Sequence, residues 1–375
     1  MATGTITTYG LTTGVKLDVE DMIWTITPFD VPLLGTQGSD GRTAISQTTV
    51  FEKKIEWLDE VLLIPNSTLG ATVATTDTYI TVASGTQLNF QTGDVLRVGT
   101  GAAAEGMLVT GYGTTANTLT VTRQYNFGTE AQFLAGTSVL GTGQANAEGA
   151  DAGTARAVDR VDRYNLTQIF GPVPVQVSGT ENAVQKYGLT GTEFDHQVAN
   201  RIKETFVSLE QALLYGMLYD DGAAKRTMGG FVNYITTNVD STSTTLTDTT
   251  LLGNLRNTFN AGGTPDRILL GAKQKQNVSG INNSNIRYAQ DTNTRGQVVD
   301  YYDDDFGRQL VVLDRWAQNS DAFIFSRDQA TVATLRPLTF EMLAKTGDSA
   351  KGQVVGEKSL YFRRQAWASW MQALV

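Results

Sequence analysis

Residues 192–217 read TEFDHQVANRIKETFVSLEQALLYGM, and their periodicity predicts one long amphipathic helix. Apolar side chains recur at Phe194, Val198, Ile202, Phe206, Leu209, Leu213 and Met217, spacings of three and four that form a single stripe. Polar Asn200, Arg201, Lys203, Glu204 and Ser208 take the other faces. Thr192 stands where a capping hydroxyl belongs, with Asp195 three residues on as its partner. At about 1.5 Å per residue the rod would be about 39 Å long, longer than most globular helices. Something extended must lie along it, and its core-facing positions are Phe194, Val198, Ile202, Phe206, Leu209 and Leu213.

On the N-terminal side of this rod, residues 156–178 are extended in character, with Tyr164 to Phe170 followed by Val173, Val175 and Val177. Pro172 and Pro174 lack the amide hydrogen of a central strand and point to a sheet edge or an extended crossing segment. Residues 66–143 differ in texture, being rich in threonine, glycine and alanine. Two similar units are visible there. Tyr79-Ile80-Thr81-Val82 precedes Gly93-Asp94-Val95-Leu96, and Thr118-Leu119-Thr120-Val121 precedes Gly136 to Leu140. This predicts a small all-β domain with internal duplication. Residues 46–62 read as a strand with a wet face, and residues 1–45 as an arm with a short helix over Asp18 to Ile26. Beyond Gly229-Gly230, residues 231–324 alternate short helices and strands, including Leu251 to Asn260, Arg267 to Gly271, two strands around Asp303 to Gly307, and Ala322 to Phe325. The last fifty or so residues are mostly strand-like.

Composition removes many chemistries. The 375 residues include no cysteine and one histidine, His196, so thiolate sites, disulfides and His-rich metal centres are out of reach. A formal charge of -9 is the wrong sign for gripping phosphates. An acidic surface suits a wall that lets nucleic acid slide past. No apolar run is long enough for a membrane helix, and the first residues lack the features of a signal peptide. Gly99-Thr100-Gly101 mimics a dinucleotide fingerprint, but a strand-and-turn pattern follows where a helix is required. His196 reads as a solvent-facing helical side chain, and Asp303-Asp304-Asp305 as an acidic turn. The four acids Asp77, Asp94, Glu105 and Glu130 of residues 66–143 are too scattered to suggest a glycosidase pair. No catalytic residue, cofactor or metal is therefore expected.

The order of motifs resembles the major capsid proteins of tailed bacteriophages with the Hong Kong 97-like fold, in the subgroup with a domain inserted in the extended loop. The resemblance rests first on Val173 to Ser178, Glu181, the long helix with its Glu210 to Gly216 ending, and Met228 to Ile235. It rests also on Trp57-Leu58-Asp59 with the returning Asn146 to Asp151, on Leu343 to Ser349 followed by Val354-Val355-Gly356-Glu357, and on Thr27 to Leu34. It implies an α+β chain: an N-terminal arm (1–45), an extended β-hairpin loop (46–65 and 144–170) carrying the inserted β domain (66–143), a peripheral domain with the spine helix (171–230 and 325–375) and an axial domain (231–324). It implies interface roles for Trp57, Asp59, Glu148, Asp151, Lys345 and Asp348. It further implies assembly with copies of itself into hexamers and pentamers of an icosahedral shell around double-stranded DNA, in the host cytoplasm, with a portal, a separate scaffolding protein and a decoration protein as partners. Another virion subunit, a tail tube or receptor-binding fibre, is the alternative reading.

Overall fold

The computed structural model describes residues 27, 29–35, 45–149, 158–186, 188–189, 191–281 and 301–375. The chain divides into two compact units, Leu58–Asp162 and the remainder. The expected helix over Asp18 to Ile26 lies outside the described residues.

In the larger unit the long helix spans Glu193–Tyr215. The Thr192 hydroxyl accepts the Asp195 amide hydrogen at 3.2 Å, so the predicted cap is present. Acidic Glu193 and Asp195 in the first turn complement the helix dipole. Gly216 ends it, one residue earlier than the periodicity suggests, and Met217 is exposed. The Gly216 carbonyl accepts the Gly230 amide at 2.7 Å. A methyl group on Gly230 would meet the Leu213 carbonyl at 2.6 Å, so this crossing of two backbones admits only glycine.

The helix packs on a four-stranded sheet ordered Ser46–Thr49, Ala330–Met342, Ser349–Phe362, Gln168–Ser178. The strand with Pro172 and Pro174 is at the edge, where their missing amide hydrogens cost no ladder bond. Phe194 meets Phe340 edge-on, 5.7 Å between centroids, over Val175 and Val177. Phe194, Leu209 and Leu213 of the predicted stripe are buried, while Val198, Ile202 and Phe206 are half-buried. Thr205, Glu210 and Leu214 complete the buried face. The stripe thus turns toward the second sheet at its C-terminal end, where Leu213 and Leu214 share one core with Phe231, Phe323 and Phe362.

That second, six-stranded sheet runs Asn238–Asp240, Ser369–Met371, Ala322–Phe325, Arg267–Leu270, Gly307–Leu313, Tyr301–Asp304. Arg267–Leu270 is buried along its whole length because it is central, with Gly307–Leu313 parallel on one side and Ala322–Phe325 antiparallel on the other. Helices Asp248–Asn260 and Ala272–Gly280 accompany it, the first closed by a capping box between Thr247 and Thr250. Ser369–Met371 belongs to this sheet, although the sequence groups it with the strands of the first.

The smaller unit contains a six-stranded sheet ordered Asn66–Thr68, Ser138–Gln144, Asp94–Val98, Glu105–Tyr112, Thr118–Thr122, Tyr79–Thr81. Its two ends meet. Gly70 donates to Thr81 and Ala83 to Thr68, both at 2.8 Å, and Leu69 bridges Val82, so the sheet closes into a barrel. The repeat seen in the sequence has a structural counterpart, because corresponding strands pair. Tyr79–Thr81 lies against Thr118–Thr122, and Asp94–Val98 against Ser138–Gln144. Alternate residues, among them Ile80, Leu96, Val98, Met107, Leu119, Val121 and Val139, fill the barrel with Phe90 and Phe133. A buried Arg123–Glu105 pair ties its loops. The guanidinium donates to both carboxylate oxygens at 3.0 and 2.6 Å, and to the Ala131 carbonyl at 2.6 Å.

Candidate assembly interface

The two chain crossings between the units are strands Lys54–Val61 and Asp159–Leu166, which pair as a two-stranded ribbon. The predicted single strand over 46–62 is in fact two. Ser46–Thr49 runs parallel to Ala330–Met342, and the chain then turns at residues 50–53 before entering the ribbon. A two-stranded ribbon has too little apolar surface to stand alone in water, so its root must be held.

Inside the larger unit that root is held by an aromatic clamp. Ile55 and Trp57 alternate inward, and Trp57 sits between Tyr234 and Tyr361 with centroids 5.5 and 5.6 Å away. The Tyr234 hydroxyl donates to the Tyr164 carbonyl at 2.8 Å, tying the returning strand to the same place. Burial pushes the Tyr234 phenol well above its ordinary pKa, so it stays a donor.

Beside the clamp lies a charge cluster. Glu357, in the middle of the long Ser349–Phe362 strand, accepts from the Thr167 hydroxyl at 2.6 Å, from Arg226, and from Arg336 at 3.3 Å. Arg226 also donates to the Thr167 carbonyl at 2.6 Å, and the Thr167 amide donates to the Lys53 carbonyl at 2.8 Å. Burial alone would raise the Glu357 carboxyl. The Thr167 hydroxyl and the two guanidinium groups outweigh it and hold the pKa below the usual range. Next on the same strand, the Lys358 ammonium is depressed by burial and donates to the Thr334 hydroxyl of the neighbouring strand at 3.1 Å. The whole arrangement is structural: within the larger unit it fixes the chain at residues 53–57 and 163–167.

What the ribbon and its flanks leave uncovered is mixed, with apolar side chains beside the exposed charges of Lys54, Glu56, Glu60 and Arg160. Phe51 is 89% exposed in the larger unit, and Leu58, Val61, Leu62 and Ile64 are exposed in the smaller one. Of the residues that the sequence marks for interfaces, Trp57 is buried in the clamp and so acts within the chain. Asp59 is half-buried on the outgoing strand, and Glu148 is exposed on the return. Lys345 and Asp348 are exposed in the turn between the two longest strands, where the Asp348 carbonyl accepts the Gly179 amide at 3.1 Å. Asp151 lies outside the described residues. Sequence reasoning missed Asn165, Thr167 and Arg226. The one available signal was Glu357, a carboxylate that follows Val354-Val355-Gly356 in a strand-like run and needs partners once that strand is buried.

The chemical motifs set aside in the sequence are ordinary structure. A short turn over Gly101–Ala103 leads into a strand, with no helix to receive a phosphate. Asp303 pairs across its hairpin with Arg308 at 2.7 and 2.8 Å. His196 is half-buried rather than solvent-facing, its Nε2 lying 3.1 Å from the Asn200 amide. Among the described residues no group of three or more acids or histidines is arranged to hold a metal ion, and no helix is long and apolar enough to cross a membrane.

Comparison with known proteins bears on what such a body and ribbon are for. The family described as SU10 major capsid protein matches residues 3–373. No curated protein matches the sequence significantly. Among solved structures, one from Mycobacterium phage Bobi is 10% identical with a TM-score of 0.52, over 98% of this chain and 99% of that one. One from Microbacterium phage Oxtober96 is 10% identical with a TM-score of 0.51, over 98% and 99%. The capsid of a native GTA particle is 9% identical with a TM-score of 0.51, over 99% of this chain and 100% of that one. At these identities the likeness concerns the fold.

Proposed function

The chain belongs to the SU10 major capsid protein family, and from that premise we propose how its parts build a shell. It is a structural, shell-forming protein of the virion with a Hong Kong 97-like fold, and not an enzyme. The tail-tube and fibre alternative gives way to this. Self-association is its function. Our reading is that copies group as hexamers and pentamers of an icosahedral head enclosing double-stranded DNA, assembled in the host cytoplasm with a portal and a separate scaffolding protein. Residues 231–324, joined by strand Ser369–Met371, form the axial domain near the symmetry axis of each ring, and residues 171–230 with the rest of 325–375 the peripheral domain.

The observation that carries this reading is the two-stranded ribbon, whose first residues are held at Trp57 and Glu357 and whose Leu58 and Val61, with the flanking Leu62, are uncovered. Uncovered apolar side chains interleaved with charges suit a strand pair laid over a neighbouring copy. Heterologous contacts of that kind repeat around an axis and close a shell, and obligate interfaces commonly bury more than about 2,000 Å². In this scheme Asp59, Glu148, Asp151, Lys345 and Asp348 contact neighbouring subunits, while Trp57 holds the loop from within. The barrel over residues 66–143 lies on the outer surface, bridging subunits or seating a decoration protein.

Expression of the chain, separation by size and negative-stain imaging of the largest fraction test the reading. Closed particles are expected, and only dispersed monomers or fibrous trimers would overturn it. Replacing residues 67–142 by a short linker tests the barrel's part. Particles that form with unchanged stability would exclude bridging.

A further inference from the structure

Residues 31–35 of the N-terminal arm are gripped by the body of the larger unit. Val31, Leu33 and Leu34 are buried in the main core. The Leu33 amide donates to Oε1 of Glu210 on the long helix at 2.7 Å, and the Leu33 carbonyl accepts the Ile45 amide at 3.0 Å. From the other side the Trp316 indole donates to the Asp30 carbonyl at 2.6 Å. The backbone of Trp316 is held in turn by Asp314, whose Oδ1 accepts its amide hydrogen at 2.8 Å.

Two carboxyls therefore form the jaws of this clasp, and both are fully buried at 0% exposure. Each has one oxygen occupied and one oxygen, Oε2 of Glu210 and Oδ2 of Asp314, with no hydrogen-bond partner. The ionisable groups facing them come from three elements. The arm supplies Asp30, which bears on both, the segment after strand Gly307–Leu313 supplies Asp314, which bears on Glu210, and the helix supplies Tyr215, which lies near Asp314 and Asp321. The Tyr215 hydroxyl is itself occupied, accepting the Gln318 amide at 2.7 Å. Among the described residues, no lysine or arginine is a cause of either carboxyl's perturbation. A buried carboxylate with an unmet oxygen and no counter-charge is costly, and a proton is the remedy that fits.

We propose that this arm clasp is proton-operated: Glu210 and Asp314 take up protons when residues 31–35 dock and release them when the arm lifts away. The chemistry points in one direction. Burial and the Asp314 charge push Glu210 well above the ordinary range, and burial pushes Asp314 up to about 6. With the arm lifted, both carboxyls meet water and return toward ordinary values. The docked state thus binds more protons. Docking is strongest below the free-state pKa values and weakens as pH rises from there; the Asp314 share is lost by the time pH has passed about 6, and the Glu210 share is lost as pH rises through its own raised value. A shell protein with such a clasp would hold its arm in acid and free it under neutral or alkaline conditions.

Hydrogen exchange on the full chain reads this directly, with rates corrected for intrinsic pH dependence between about pH 4 and 8.5. Protection of residues 29–35 should fall by up to about tenfold per pH unit for each proton released. Protection of barrel residues 106–112 should stay level. In the double variant Glu210→Gln with Asp314→Asn, neither side chain can ionise, and the carboxamide oxygen introduced on the helix still accepts from the Leu33 amide. Protection of residues 29–35 should then be high and flat. A flat wild-type profile overturns the proposal, and so does an unchanged slope in the double variant. If the double variant fails to fold, the wild-type slope decides alone.

Discussion

Asn165 and Gly229, distant in sequence, bind each other twice: the Asn165 amide donates to the Gly229 carbonyl at 3.0 Å, and the Gly229 amide donates back to Asn165 Oδ1 at 2.8 Å. The same side chain donates to the Leu360 carbonyl at 2.7 Å and accepts from the Leu166 amide at 2.8 Å. One buried asparagine thereby joins the ribbon root, the turn after the long helix and the longest strand.

Removing it should be expensive. Asn165→Ala strands four buried main-chain groups, and a loss of about 2–4 kcal/mol is expected. Chemical denaturation of the full chain measures it. A midpoint equal to wild type would mean that water replaces the amide at no cost.

The Glu357 cluster should make the fold sensitive to acid. Its carboxyl is held below the ordinary range in the folded state, so its stabilisation is complete above the unfolded value and is lost as pH falls through the folded one. Thermal melting from about pH 7 down to 3 should show wild type losing stability in acid. Glu357→Gln should be less stable at neutral pH, by roughly 2–4 kcal/mol, because Arg226 loses its counter-charge. It should also vary less with pH. Parallel curves for the two proteins would assign the acid response to other groups.

Two positions of one helix stripe should separate. Leu213→Ala opens a cavity in the main core and should cost about 2–5 kcal/mol. Ile202→Ala, at a half-buried position, should cost less than about 1.5 kcal/mol in the dispersed chain. Equal losses would mean that the helix buries its middle turns as deeply as its end.

In the barrel, Arg123→Ala leaves the Glu105 carboxylate buried without its cation, and a local loss of about 3–5 kcal/mol is expected. Hydrogen exchange should rise across residues 94–122 and remain as in wild type across residues 349–362. The pair replacement Arg123→Met with Glu105→Leu should recover much of the loss, since two apolar side chains leave no stranded charge. No recovery would show that the loop contacts of Arg123, rather than the ion pair, hold the barrel.

What the sequence made legible was local. Thr192 and Asp195 announced the helix start because a cap is built from neighbours three residues apart. Pro172 and Pro174 announced an edge because a missing donor is a property of the residue itself. The two threonine-rich repeats announced a β domain because alternation survives any particular pairing. What stayed hidden depends on partners far along the chain. Nothing near Asn165 names Gly229, and nothing near Ser46–Thr49 names the strand beside it. Glu210 was readable only as the start of a helix-ending motif. Its burial comes from the arm and the second sheet closing over the helix, and no periodicity records that. Ile202 fitted the stripe perfectly by spacing, yet tertiary cover thins in the middle of the rod.

The seam between Gly70 and Thr81 has a consequence for a molecule that must crowd against its own copies. An open sheet offers a row of unsatisfied amides and carbonyls to any similar strand nearby, and such rows seed indiscriminate stacking. Because the six strands of residues 66–144 satisfy one another around a full circle, the insert presents side chains alone to its surroundings. Its outside is therefore free to vary in sequence without risking runaway polymerisation, and attachment there is governed by surface chemistry and not by backbone.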